Sequence, residues 1–339
     1  GKDQVSPETF LLFLRGTREV IQEGRNAEMK WKTPEKRPYY SKYRQIDIRS
    51  GQGWYECYEL PGDVYAVCEP QHLQEVNVFL IFGETRVLML DTGMGICDIR
   101  PVIEELVMLR CGAQAEDMLD NLIVVNCHLH FDHTGNAWRF PEIVTADVPI
   151  VRRQAREGVP HEPLANQADE DMFLFGYPKG FAPEDYCIRP YHIRCCEDGH
   201  RFRLGGREVE FITTPGHTED HAMLYDHRDG ILFAGDMIYF GAIYVQFDNE
   251  ILGHSDIQEY IDSLEKVKRR CPDMRSIYVS HNDFITDLSA IDKIRDALIA
   301  VRDGEAEGEP LRDEKYGYYG DPPTMRQYWF DGFSVVAGK

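Results

Sequence analysis

The chain has 339 residues, of which 43% are hydrophobic and 12% aromatic, enough to bury a large core as one long domain or two small ones. Its formal charge is −21, from 58 acidic against 37 basic residues, which argues against non-specific binding to nucleic acid or anionic membrane, since both need clustered Lys and Arg. No run of residues approaches membrane-spanning length, and nine scattered cysteines without a Cys-x-x-Cys pair suit a reducing compartment, so a cytoplasmic location is expected.

In chain order, Pro7 to Glu23 predicts an amphipathic helix, with Ser6 as N-cap and Gly24 as C-cap. Met29 to Gly53, charged and rich in Pro and Tyr, predicts an extended arm that wraps the core or a neighbouring subunit, a route to a homo-oligomer. Residues 1–54 are thus set apart from a catalytic domain over 55–339. Strands are expected at Val64–Val67, Val76–Phe82 and Arg86–Leu90, the last two joined by the turn Gly83-Glu84-Thr85. Pro101 to Arg110 reads as a helix stopped by Gly112.

Asn121 to Asn126 is an apolar, β-branched run that predicts a buried strand. It feeds His128-Leu129-His130-Phe131-Asp132-His133, which sets four metal-ligating side chains within six residues. Imidazole and carboxylate donors suit Zn, Fe or Mn. Buried together without a cation, they would leave many polar atoms to satisfy.

Residues 147–200 read as an insertion, opening with a helix over Asp147–Arg156 and then punctuated by five prolines. Its aromatic stretches, Met172–Tyr177 and Phe181–Tyr191, form either an apolar lid or packing onto the body. Gly205-Gly206 marks a hairpin that restarts the core. Three more short strands each end in a candidate ligand. Val209–Thr213 leads to His217, Ile231–Ala234 to Asp236 and Ile277–Ser280 to His281. Helices are expected over Ser255–Arg270 and Asp287–Arg302, and the aromatic tail Tyr316–Phe333 should pack back on the body. One sheet edge therefore presents side chains from several loops to a common point.

His128-x-His130-x-Asp132-His133, Thr-Pro-Gly-His217-Thr, Ala-Gly-Asp236, Val-Ser-His281 and Leu90-Asp91-Thr92-Gly93 together resemble the metallo-β-lactamase superfamily, over roughly Tyr55 to Asp283. The resemblance implies an α/β (α+β) fold, a four-layer αββα sandwich, here with an N-terminal extension and a lid-like insertion. It implies that His128, His130 and His217 hold one metal ion, that Asp132, His133 and His281 hold a second, and that Asp236 bridges them. Asp91 would hydrogen-bond towards a ligand histidine, and His221 would support the site without binding metal.

Two cations about 3.5–4 Å apart can share a hydroxide whose pKa falls towards about 7. Asp132 could orient it or move its proton. The expectation is a metallo-hydrolase with two divalent ions, zinc first and Fe or Mn as alternatives, cleaving an ester-like bond in a small molecule: a lactone, a thioester or a related acyl substrate. Tyr239 and Tyr244, in the loop after Asp236, are candidates for the substrate pocket. Alternative readings are a di-iron redox or oxygen-binding member of the superfamily, or a small-molecule phosphodiesterase. No Gly-x-Ser-x-Gly elbow and no phosphate-binding Gly-rich loop offers a different chemistry.

Overall fold

Alternation within nearly continuous apolar strands decides the architecture. A computed structural model describes residues 42–310 and 325–338; the helix expected over Pro7–Glu23 and most of the arm lie outside the described residues. The first sheet has eight strands in sequential order. They are β1 (Arg44–Ile46), β2 (Glu56–Leu60), β3 (Val64–Cys68), β4 (Asn77–Phe82), β5 (Val87–Leu90), β6 (Ile123–Val125), β7 (Ile143–Ala146) and β8 (Ile193–Cys196). β1 to β5 form an antiparallel meander, and β5 to β8 run parallel.

The second sheet, in order β17-β16-β12-β11-β10-β9, comprises β9 (Arg201–Arg203), β10 (Glu208–Thr213), β11 (Ala222–Asp226), β12 (Ile231–Phe233), β16 (Ser276–Tyr278) and β17 (Ile285–Thr286). A small third sheet pairs β13 (Ala242–Val245) with β20 (Ser334–Ala337), then β19 (Arg326–Trp329) and β18 (Gly308–Pro310). β14 (Asp248–Asn249) and β15 (Gly253–His254) make a short ribbon.

β4 is buried on both faces, and its side chains divide by parity. Val78, Leu80 and Phe82 share a core with Val102, Ile103 and Leu106 of helix α1 (Arg100–Cys111). Phe79 and Ile81 instead meet Phe211, Leu224 and Phe233 of the second sheet. On the far side of that sheet, Ile212, Met223, Leu232 and Ile277 share a core with helices further along the chain. Between these lie α2 (Ala115–Asp120), α3 (Phe131–Thr134) and α4 (Pro149–Glu157); the helices of that far core are α5 (Ile257–Arg270), through Tyr260 and Leu264, and α6 (Ala290–Arg302), through Ile294 and Leu298. Helices, sheet, sheet, helices: the four-layer αββα sandwich follows from those three cores.

Boundaries obey local chemistry. Gly112, at φ 55, stops α1 where a left-handed residue is required. Asp256 caps α5 by accepting from the amides of Gln258 and Glu259, both at 2.8 Å. The end of the arm from Arg44 is not free: β1 adds an edge to the first sheet, antiparallel to β2. The insertion leaves after β7 and returns as β8, parallel to it, so its closing residues belong to the sheet. Its aromatic residues pack on the body. Phe173 lies 5.8 Å from the ring of fully buried Trp54, 5.1 Å from His72 and 5.4 Å from Phe181. From Met325 the tail packs back, as β19 leading to β20 of the third sheet, while residues 316–324 lie outside the described residues. All nine cysteines are free, and among the described residues no helix is long and apolar enough to cross a membrane.

Candidate metal centre

β5, β6, β10, β12 and β16 all point their C-terminal ends at one edge of the sandwich, and the candidate side chains sit in the loops that follow. The β5 and β6 loops are stitched together. Thr92 donates to the His133 carbonyl through its amide (2.9 Å) and its hydroxyl (2.8 Å), and Asn126 Nδ2 donates to the same oxygen. The Gly135 amide donates to Gly93 O at 2.8 Å. A Cβ on Gly135 would stand 2.0 Å from the Met94 carbonyl carbon, so the close approach of the two loops requires glycine there.

Among the described residues, two of the four groups of potential donors gather the expected ligands. His128, His130, His217 and Asp236 bring their donor atoms within 4.8 Å of one another, and so do Asp132, His133 and His281. Asp236 lies between them. Its Oδ1 is 3.2 Å from His133 Nε2, and its Oδ2 is 3.1 Å from His281 Nε2, 3.6 Å from His217 Nε2 and 3.9 Å from His128 Nε2. Asp132 Oδ2 is 3.5 Å from His281 Nε2 and 3.6 Å from His133 Nε2.

Each of these five imidazoles is anchored through the ring nitrogen that faces away. His130 Nε2 meets Leu252 O at 2.9 Å, His217 Nδ1 meets Tyr244 O at 3.0 Å and His281 Nδ1 meets Gln74 O at 2.7 Å. His133 Nδ1 meets Asp91 Oδ2 at 2.9 Å, and His128 Nδ1 meets Cys127 Sγ at 3.0 Å. In the neutral ring, a carbonyl or carboxylate partner takes the N–H on that side, and the opposite nitrogen then carries a lone pair directed at the centre.

The donor set fits a pair of divalent cations. His128 Nε2, His133 Nε2 and Asp236 Oδ1 are buried and have no hydrogen-bond partner, although each faces the centre. Such orphaned acceptors are costly unless something positive completes them. The electrostatics agree. Burial first, then neighbouring imidazoles, holds the His128 and His217 pKa values well below the ordinary histidine range, keeping them neutral. Burial also opposes charge on His281, but Asp236 and Asp132 outweigh it and push its pKa up. Burial would raise Asp236, yet the imidazoles of His281, His133 and His128 hold it well below the usual carboxylate range. The clusters can therefore chelate divalent metal.

Asp91 and His221 stand beside this set. Asp91 accepts from the Cys127 amide at 2.8 Å, from its thiol at 3.1 Å and from His133. His221 accepts the Asp236 amide at Nε2 (3.2 Å) while Nδ1 contacts Thr214 Oγ1 (2.9 Å), so it fixes the Asp236 backbone. The Tyr239 hydroxyl donates to Ala242 O, and its ring lies 5.3 Å from His281. Tyr244 touches the centre through its backbone carbonyl on His217. Sequence reasoning missed Phe247, whose ring lies 4.6 Å from His130 and 5.2 Å from His217, and the thiol of Cys127 between Asp91 and His128. Only the position of Cys127 beside the histidine run could have signalled its role.

The family model described as the metallo-beta-lactamase superfamily matches residues 73–281. The chain belongs to that superfamily. On the metallo-beta-lactamase fold, such clustered His and Asp donors support metal-dependent hydrolysis. The chain is 26% identical over 194 residues to "Acyl-coenzyme A thioesterase MBLAC2" of Gallus gallus, covering 56% of this chain and 66% of that protein. It is 25% identical over 197 residues to the protein of the same name from Homo sapiens, with the same coverage. The chain thus spans just under two thirds of the length of these curated relatives. Among solved structures, "Metallo-beta-lactamase from Pontibacter korlensis" superposes with a TM-score of 0.44 at 16% identity, covering 76% of this chain and 99% of that one.

Proposed function

We propose that the chain is a dinuclear metal-dependent thioesterase for acyl thioesters, within the wider class of hydrolases that cleave ester-like bonds. His128, His130 and His217 would hold one ion, Asp132, His133 and His281 the other, and Asp236 would touch both. The observation that carries this reading is the convergence of the five imidazoles, each held through its outward nitrogen with the other turned toward the shared donor cluster. When bound, two divalent ions supply Lewis acidity and a hydroxide nucleophile near neutral pH.

The rest falls to the protein. His130, Asp132, Asp236 and His281 keep 4–6% exposure while His128 and His133 keep none, so the mouth of the centre runs past both donor groups. Asp132 stands at that mouth, where its carboxylate can orient a water and accept its proton. The Tyr239 phenol is committed to a backbone carbonyl, which favours a wall role for its ring. Cys127 is no nucleophile: burial, then Asp91, pushes its thiol pKa well up. A thioester suits a site in which the described residues offer no second acid, because a leaving thiolate, of pKa about 8.5, departs without prior protonation. An alkoxide from a lactone needs more help. The thioesterase activity for which the two relatives are named points the same way.

The test is a screen of the metal-loaded chain on acyl-coenzyme A thioesters of graded length, lactones and phosphodiesters, with free thiol read by a chromogenic reagent. Thioester hydrolysis is expected, lost on chelation, restored by zinc and absent in Asp236→Ala. Turnover of lactones or phosphodiesters without thioesters would overturn the substrate class. Undiminished turnover after complete chelation would overturn the metal chemistry.

A further inference from the structure

The segment 69–76, between β3 and β4, is clasped from two sides. On one side lies the insertion. The Leu73 amide donates to Met172 O at 2.9 Å, and the Leu174 amide donates to Gln71 O at 2.8 Å. The His72 ring stands edge-on to Phe173, its Nε2 2.9 Å from Gln167 O. Gln74 Nε2 donates to Gln167 Oε1 at 3.0 Å. On the other side lies the loop after β16. His281 Nδ1 donates to Gln74 O at 2.7 Å, and the Asn77 amide donates to Ser280 O at 2.7 Å.

His72 joins the two sides. Its Nδ1 accepts the Gln74 amide at 3.1 Å while Nε2 donates to the insertion. The ring is fully buried, and burial pushes its pKa down to about 4, so it stays neutral and keeps the lone pair that Gln74 needs. Gln74 is therefore held at its amide by His72, at its side chain by Gln167, and presents its carbonyl to a metal-facing histidine.

We infer that the insertion braces the second metal position: Gln167 and His72 are positioning residues that hold the Gln74 carbonyl where it sets the tautomer and orientation of His281. The inference rests on the dinuclear reading above. An imidazole whose far N–H loses its acceptor can rotate or move its proton, and loss of such outer partners typically costs about 10–100-fold in metal affinity. The effect is selective. His130 and His217 are anchored on Leu252 and Tyr244, which lie outside this relay.

The experiment is cobalt(II) titration of the full chain, followed by ligand-field absorption and by metal content after gel filtration. His72→Phe keeps the ring against Phe173 and removes both hydrogen bonds. The expected result is a second ion bound about 10–100-fold more weakly, with the first unchanged. Gln167→Ala should shift the second ion in the same direction by less. His72→Asn, which restores an acceptor for the Gln74 amide, should recover part of the loss. Tyr177→Phe, which breaks a hydrogen bond inside the insertion to Ala168 O, should leave both ions unchanged. Wild-type constants in His72→Phe and Gln167→Ala would overturn the brace. So would equal weakening of both ions. A wild-type chain that takes up fewer than two ions would instead overturn the dinuclear reading, and the brace with it.

Discussion

Asp91→Asn is the sharpest probe of the centre because it changes almost no volume and no backbone. Asp91 has φ 68, a left-handed conformation that asparagine also tolerates. Its carboxylate is fully buried and accepts from three donors: the Cys127 amide on Oδ1, and the Cys127 thiol and His133 Nδ1 on Oδ2. An amide offers one oxygen and one NH2. Placed with oxygen on the Cys127 amide, its NH2 faces His133 Nδ1–H, and the imidazole must move its proton to Nε2, losing its lone pair toward the metal. Placed the other way, NH2 faces a backbone N–H that cannot change. The first costs less, so His133 is the casualty.

Loss of the charge-assisted bond should destabilise the metal-free chain by about 1.5–3 kcal/mol. The second ion should weaken by about 10–100-fold, equivalent to about 1.4–2.8 kcal/mol. Urea unfolding in chelator reads the first quantity, and cobalt titration reads the second. An Asp91→Asn chain that binds two ions with wild-type constants would refute the argument that a fixed His133 tautomer is required.

Cys127→Ser keeps a hydroxyl between Asp91 and His128, whereas Cys127→Ala removes the partner of His128 Nδ1; zinc competition should show the first ion weakened in Ala and near wild type in Ser, and equal behaviour of the two would contradict the thiol relay. Gly135→Ala forces a Cβ within 2.0 Å of the Met94 backbone and should cost at least about 1–3 kcal/mol in urea unfolding, so an unchanged midpoint would show that the two loops can part. Glu69 accepts from Trp54 Nε1 and the Met94 amide, yet burial, helped by Asp132, raises its pKa from 4.5 to about 7. A folded pKa above the unfolded one means stability present below pH 4.5 and lost as pH rises through about 7. The metal-free wild type should therefore weaken relative to Glu69→Gln across that window, and a pH-independent difference would show that Glu69 does not titrate there.

The donors were legible because each is a side chain with a chemical identity placed just beyond a short apolar strand. Their anchors were not, for a physical reason. Leu252 O, Tyr244 O and Gln74 O are backbone carbonyls, which any residue carries, and they reach their histidines across 122, 27 and 207 positions of sequence. The core strands were legible as short apolar runs, but β1 was not. Arg44-Gln45-Ile46 is a half-exposed edge with no apolar pattern, so it reads as arm until its pairing with β2 is seen. The third sheet hid for a different reason: β13 and β20 are apolar, but β13 finds β20 from far along the chain.

The kinds of anchor also make the two metal positions unequal. The group of His128, His130 and His217 adds only imidazoles to the shared Asp236, and its rings lean on a thiol and two carbonyls. The group of Asp132, His133 and His281 adds a carboxylate, and His133 leans on a second one, Asp91. A carboxylate behind an imidazole makes it a more basic ligand than a carbonyl or thiol does. Under the proposed ligand assignment, the second position is richer in negative charge and oxygen and would suit a harder cation, and the first would suit zinc. It is also the position whose remaining histidine, His281, depends on Gln74. The more strongly charged half of the centre is the half whose histidine leans on the segment clasped by the insertion.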